Sequence, residues 1–278
     1  MSLTSQLPLR AVEYRPPTHT DRFPFTVPVI QNLETLRFES PVTFLVGENG
    51  SGKSTLLEAL AIAAKSITVG TQSAHTDATL AEVRALANCL RLIWSKRSKR
   101  GFFLRSEDFF GYAKQMNTTR ASLQQELEEI DEEYADRSEL ARGLARMAHS
   151  GQLHALDSRY GEGLDAGSHG ENFLKLFRTR FVPNGLYLLD EPEAPLSPMR
   201  QLSLLAMLKD MVDQSSQFII ATHSPILMAY PSAVILSCDG ERISQVDYET
   251  LEHVTLMRDF LANPSLFLRH LFDSPETD

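Results

Sequence analysis

The chain is 278 residues long, 42% hydrophobic and 23% charged, with a formal net charge of −9. That length supports one large domain or two small ones with a sizeable core, and the composition is that of an ordinary soluble globular protein. So acidic a balance excludes a bulk nucleic-acid binder while leaving room for a local basic patch.

Two cysteines, Cys89 and Cys238, sit in apolar contexts and read as buried thiols of a reducing compartment. The apolar run LLEALAIAA (56–64) is too short to cross a membrane and belongs to a helix. The first fifteen residues lack the charged start and apolar core of a signal peptide, so the expected location is the cytoplasm.

The first forty residues read as strands and turns: PLRAVEY (8–14), FTVPVI (25–30) and TLRFES (35–40), with prolines at 16, 17, 24 and 28 between and within them. PVTFLVG (41–47) reads as a buried parallel strand. KSTLLEALAIAAK (53–65) has helical spacing, with Leu56, Leu57, Leu60 and Ala61 on one face. ATLAEVRALANCLRLIW (78–94) reads as an amphipathic helix, GFFLRSEDFF (101–110) as a strand-like island, and 120–148 as one or two acidic helices with Leu123, Leu127, Ile130 and Tyr134 at helical steps. FLKLFRTRF (173–181) is helical. GLYLLDE (185–191) and QFIIATH (217–223) read as strands flanking a helix at 197–214. SAVILSCDGERISQV (232–246) reads as a hairpin turning at Asp239-Gly240, and 249–272 as helical. The expected organisation is a single α/β domain over 1–278. Residues 1–65 and 173–278 form the core with its N-terminal antiparallel β-subdomain, and 66–172 form a mainly helical insertion.

Residues 47–54, GENGSGKS, fit G-x-x-x-x-G-K-[ST] at every fixed position, with a strand before and a helix after. Small residues let the backbone curl until several N–H groups point at one anion, and the helix dipole faces the same spot. Gly47, Glu48, Asn49, Gly50, Ser51, Gly52, Lys53, Ser54 and Thr55 are therefore expected to cradle ATP. Lys53 reaches the β- and γ-phosphates, and the Ser54 hydroxyl ligates Mg²⁺. The apolar strand of GLYLLDEPEA carries Asp190 to the edge of the sheet where such folds bind ligands, as a second holder of Mg²⁺. Glu191 follows as general base for the attacking water, and His223, at the end of the next strand, is placed to sense the γ-phosphate and orient the water. Strand-end acids and histidines are common structural features, and it is the P-loop upstream that gives these a chemical reading.

GENGSGKS, SHGE, LYLLDEP and IIATH, in that order, resemble an ABC-type P-loop ATPase. The likeness extends over nearly the whole chain, including GFFLRSEDFF and HSPILMAYP, toward the stand-alone soluble AAA-family predicted ATPases related to RecF-like, SMC-like and OLD-type heads. It implies Mg-dependent ATP hydrolysis in a head-to-head homodimer. Ser168, His169, Gly170 and Glu171 would form the signature loop that meets the partner subunit's nucleotide. A capping box, Ser168 with Glu171, is the plainer reading of the same residues. The chain departs from transporter ATPases in its S-H-G-E signature and in Ser197, where those have aspartate. It has no clear Q-loop glutamine: Arg105, Ser106 or Glu107 stands there, with Gln115 a weak rival. Tyr14 and Phe25 are candidates to stack on adenine. The work of the cycle is open among a soluble switch in nucleic-acid maintenance or defence, a transporter subunit and a slow regulatory clamp. WSKRSKR (94–100) places Lys96, Arg97, Lys99 and Arg100 beside Trp94, either as a solvated basic run or as a nucleic-acid contact.

Overall fold

The computed structural model describes residues 7–18, 21–69, 74, 80–160 and 169–272. In chain order the elements are β1 (Leu9–Tyr14), α1 (Pro28–Gln31), β2 (Leu36–Arg37), β3 (Val42–Val46), α2 (Lys53–Ala64), α3 (Arg84–Ala87), β4 (Leu90–Trp94), β5 (Phe103–Arg105), α4 (Ser106–Glu133) and α5 (Glu139–Tyr160). There follow α6 (His169–Arg180), β6 (Leu186–Asp190), α7 (Pro198–Asp213), β7 (Gln217–Ala221), α8 (Pro225–Met228), β8 (Val234–Ser237), β9 (Ser244–Val246), α9 (Glu252–Ala262) and α10 (Pro264–Phe272).

Two sheets result. A six-stranded sheet runs β5-β6-β7-β3-β8-β9, parallel except for the hairpin partner β9, and a small antiparallel sheet runs β2-β1-β4. The parallel strands are buried on both faces, and their alternation sorts the core into two layers. Leu45, Leu188 and Ile219 face α2 and the antiparallel sheet. Phe44, Tyr187, Leu189, Phe218 and Ile220 face the other way, onto α6 and α7. There Phe173, Phe177 and Phe181 lie along one side of α6 and its exit, ring against ring with Tyr187 and Phe218. The Gln217 amide joins the two sheets: it accepts from Leu9 N–H at 2.8 Å and donates to Leu9 C=O at 2.9 Å.

Three sequence expectations are corrected. Residues 25–30 form no strand: Pro28 stands at the first position of the one-turn helix α1, where its fixed φ and missing N–H cost nothing. The helix expected over 78–94 shrinks, among the described residues, to α3. A turn closed by Cys89 N–H on Leu86 C=O ends it, and LRLIW then pairs antiparallel with β1, because its branched and aromatic side chains suit a half-buried strand. The segment 66–172 is also more than a helical insertion. It supplies β4 to one sheet and β5 to the other, and besides α3 and the start of α6 its helical part is the hairpin α4–α5. Cys238 is buried as expected, whereas Cys89 is only half-buried; both are free thiols. Among the described residues no helix is long and apolar enough to cross a membrane.

Candidate nucleotide site

β3 ends in the loop 47–52, which curls into the N-terminus of α2. Gly52 caps that helix in the left-handed conformation, φ 99°. A Cβ there would lie 2.7 Å from Val27 Cγ1 and 2.9 Å from Val29 Cγ2, so only glycine lets α1 close on the loop. Gly47 is equally constrained, because a Cβ would meet Asp239 Oδ1 at 2.7 Å. Asp239, from the β8–β9 connection, accepts the Glu48 N–H at 2.6 Å. Lys53 is buried, which lowers its pKa, and its ammonium donates to the carbonyls of Gly47 and Glu48, both at 2.7 Å. Ser51 Oγ is buried with no hydrogen-bond partner among the described residues. An unpaired hydroxyl inside an amide-lined loop suits an anion that accepts from it.

Ser54, at the second position of α2, donates its hydroxyl to Asp190 Oδ1 at 3.1 Å. Asp190 ends β6 and is 8% exposed. Burial pushes its carboxyl up to about 7, Ser54 and Lys53 opposing and Glu191 and Glu58 assisting. A buried carboxylate beside a hydroxyl, at the foot of a phosphate cradle, is the donor set for a hard cation that takes most of its other ligands from phosphate and water.

Glu191 follows with φ 47°, a left-handed backbone that a glutamate adopts only under constraint. Its N–H donates to Ala221 C=O at 2.9 Å, and its carbonyl accepts from the Ser106 hydroxyl, which also reaches Asp190 C=O at 3.3 Å. The Glu191 side chain is half-exposed, with Oε1 3.7 Å from His223 Nε2. His223 follows the neighbouring strand β7, and its backbone N–H donates to Glu193 Oε1 at 2.7 Å. The loop 47–51, His223, Asp239 and His253 line one cleft of about 720 Å³.

The structure thus brings together Gly47 to Ser54, Asp190, Glu191 and His223. Ser168 lies outside the described residues. α6 opens at His169, and Gly170 is buried where a Cβ would come within 2.9 Å of Pro195 C=O. Glu171 pairs with Arg200 at 2.9 Å. Of the Q-loop candidates, Arg105 faces Asp190 in register and forks onto Asp108 at 2.7 and 3.0 Å while reaching Glu58 at 3.3 Å. Ser106 touches Glu191 directly, Glu107 is exposed, and Gln115 lies exposed farther along α4. Phe25 is buried in the core and Tyr14 packs against it, so neither lines the cleft.

Residues 25–145 match the family model of the AAA domain. The strand, glycine-rich loop and helix at 42–64, in a sheet where β7 separates the Asp190 strand from the loop-bearing strand β3, have the arrangement of a P-loop fold. No curated protein matches the chain in sequence. Among solved structures it is similar to cbiO1 from Clostridium perfringens, part of the ABC transporter complex cbiONQ. The identity is 14%, the alignment covers 96% of this chain and 99% of that one, and the TM-score is 0.46. It is also similar to an ATP binding subunit of an ABC transporter, with 18% identity, 95% and 98% coverage and a TM-score of 0.45. The Smc head domain derived from Pyrococcus furiosus gives 11% identity, 91% and 99% coverage and a TM-score of 0.42.

Sequence reasoning missed four contributors to the site around the phosphate loop. Asp239 was visible only as half of an Asp-Gly turn. Glu193, whose carboxyl burial raises, was visible only as part of the loop after Asp190. The pairing of Arg105 with Glu58 spans 47 residues and left no local trace. His253, from α9, lines the cleft with a buried, unpartnered Nε2, and its pKa is lowered by burial and by His223.

Proposed function

We propose that the chain binds ATP with Mg²⁺ in this cleft and hydrolyses it, working as a dimer in which a second copy completes each site. The observation that carries the reading is the Ser54–Asp190 hydrogen bond at 3.1 Å, with Glu191 and His223 at the ends of adjoining strands. It ties the phosphate loop to the one acidic strand end that a metal-dependent phosphoryl transfer needs.

The amides of 49, 50 and 52–54 hold the phosphates, and Lys53 exchanges its two carbonyl partners for the β- and γ-phosphate oxygens. Ser54 and Asp190 would hold the cation, which when bound offsets the charge that builds on the transferring phosphoryl group. Glu191 takes the proton of the attacking water. The contacts of its backbone to Ala221 and Ser106 fix where its carboxylate hangs. His223, steadied through its backbone by Glu193, orients that water. Ser168, His169, Gly170 and Glu171 of a second copy face the γ-phosphate, so hydrolysis loosens the pair.

The test is Glu191→Gln. It should bind ATP with unchanged affinity, lose roughly 10²- to 10⁴-fold in turnover, and shift from monomer to dimer by light scattering only when Mg-ATP is added. Hydrolysis at the wild-type rate would remove Glu191 as the base. A mass that ignores nucleotide in a protein that still binds it would refute the ATP-driven dimer.

A further inference from the structure

The loop 95–101 connects β4 of the antiparallel sheet to β5 of the parallel one, at the end of the sheet opposite the nucleotide cleft. Leu186 N–H, at the start of β6, donates to Arg100 C=O at 3.0 Å, and Asp190 lies four residues, about 13 Å, farther along that strand. The loop is firmly built. Ser95 N–H donates to Pro8 C=O at 3.0 Å, Ser98 Oγ donates to Asn184 C=O at 2.7 Å, and Arg100 N–H donates to Ser98 Oγ at 3.1 Å. Gly101, with φ 110°, passes so close to β6 that a Cβ would lie 1.8 Å from Leu186 C=O.

This anchored backbone is the shared wall of two adjoining hollows of about 480 and 270 Å³. Arg97, Lys99 and Arg100 line both, Lys96 lines the larger and Lys65 the smaller. Among the described residues no carboxylate lines either one. Among the described residues none of the five cations forms an ion pair, and the one hydrogen bond their head groups make is Arg100 Nη1 donating to Pro183 C=O at 3.3 Å. Five like charges crowded around a rigid loop, on a chain whose net charge is −9, make a local positive field that a polyanion answers.

Its chemistry is narrowed by the smaller hollow, where half-buried Trp94 and exposed Ile67 stand beside the cations. Cations that follow a phosphate chain, with an indole beside them for a base, are the elements of a single-strand site. The structure assigns to this loop the binding of single-stranded nucleic acid, at a site separate from the nucleotide cleft and independent of hydrolysis.

Trp94 is the single tryptophan of the chain, so its fluorescence reports on this site alone. The experiment titrates the full-length protein, without ATP, with fluorescein-labelled oligo-dT while following anisotropy, and with unlabelled oligo-dT while following Trp94 emission. Binding should quench Trp94. With about four phosphates neutralised, it should weaken roughly 50-fold between 50 and 200 mM salt. The triple variant Lys96→Glu, Arg97→Glu, Lys99→Glu should bind at least tenfold more weakly with its basal ATP turnover intact. That turnover also distinguishes a lost site from a lost fold. Trp94→Phe, a milder change, should lose several-fold in affinity with the salt slope retained. Absence of binding at 50 mM salt, an unaffected triple variant, equal affinity for duplex without quenching, or equal affinity and quenching with heparin would each overturn the assignment.

Discussion

Asp190→Asn should make the ligand-free fold more stable at alkaline pH while abolishing its use of Mg²⁺. Burial raises the Asp190 carboxyl from 3.8 to about 7. An acid raised in the folded state binds its proton more tightly there than in the unfolded chain. Stability is therefore greatest below 3.8, falls as pH climbs from 3.8 to about 7, and levels off above. Between pH 5 and pH 8 about two units of that window are crossed, and at about 1.4 kcal/mol per unit the loss is roughly 2–3 kcal/mol. Asparagine keeps the shape and the acceptor for Ser54 and has nothing to ionise. At about 2 °C per kcal/mol for a chain of this size, the melting temperature of the variant should gain about 4–6 °C on wild type between pH 5 and pH 8. Added Mg-ATP should raise wild type by more than it raises the variant, whose phosphate loop and Lys53 are intact. Melting temperatures that run parallel over this pH range would refute the argument that Asp190 is held against its own charge.

Ser106→Ala removes the hydroxyl from the Glu191 carbonyl and should lower kcat about fivefold, or roughly 1 kcal/mol, with KM for ATP little changed in steady-state assays. Arg105→Met strands the half-buried Glu58 and should cost about 1–3 kcal/mol by denaturant titration. Adding Glu58→Gln should recover much of that loss, since the two residues share one interaction. Gly170→Ala drives a methyl toward Pro195 C=O and should cost about 1–3 kcal/mol, seen as a lower melting temperature.

The parts legible in the sequence were those whose signals are local. The P-loop declares itself through fixed spacing. β3, β6 and β7 do so as apolar runs too short for helices, and α2, α6 and α7 through their periodicity. LRLIW failed because five residues hold too few turns of either period to choose between them, and its strand state is decided by pairing with β1, some eighty residues away. FTVPVI failed because Pro28 reads equally as a strand breaker and a helix starter. In the site, Asp190 and Glu191 follow from one strand, whereas Asp239, Glu193, Ser106 and His253 are brought in by tertiary packing. Their local sequence is that of any turn or helix end.

β5 carries a mechanical consequence. It has three residues, with the basic loop on one side and Ser106 on the other. Successive side chains of a strand point to opposite faces, so a slip of one residue against β6 would invert all three. Arg105 would turn away from Glu58 and Asp108, and the Ser106 hydroxyl would leave the Glu191 carbonyl. A pull on the loop therefore has no gradual way to reach the catalytic edge. β5 holds the loop and the Ser106–Glu191 contact in a single register, so what binds the loop leaves Glu191 as it stands.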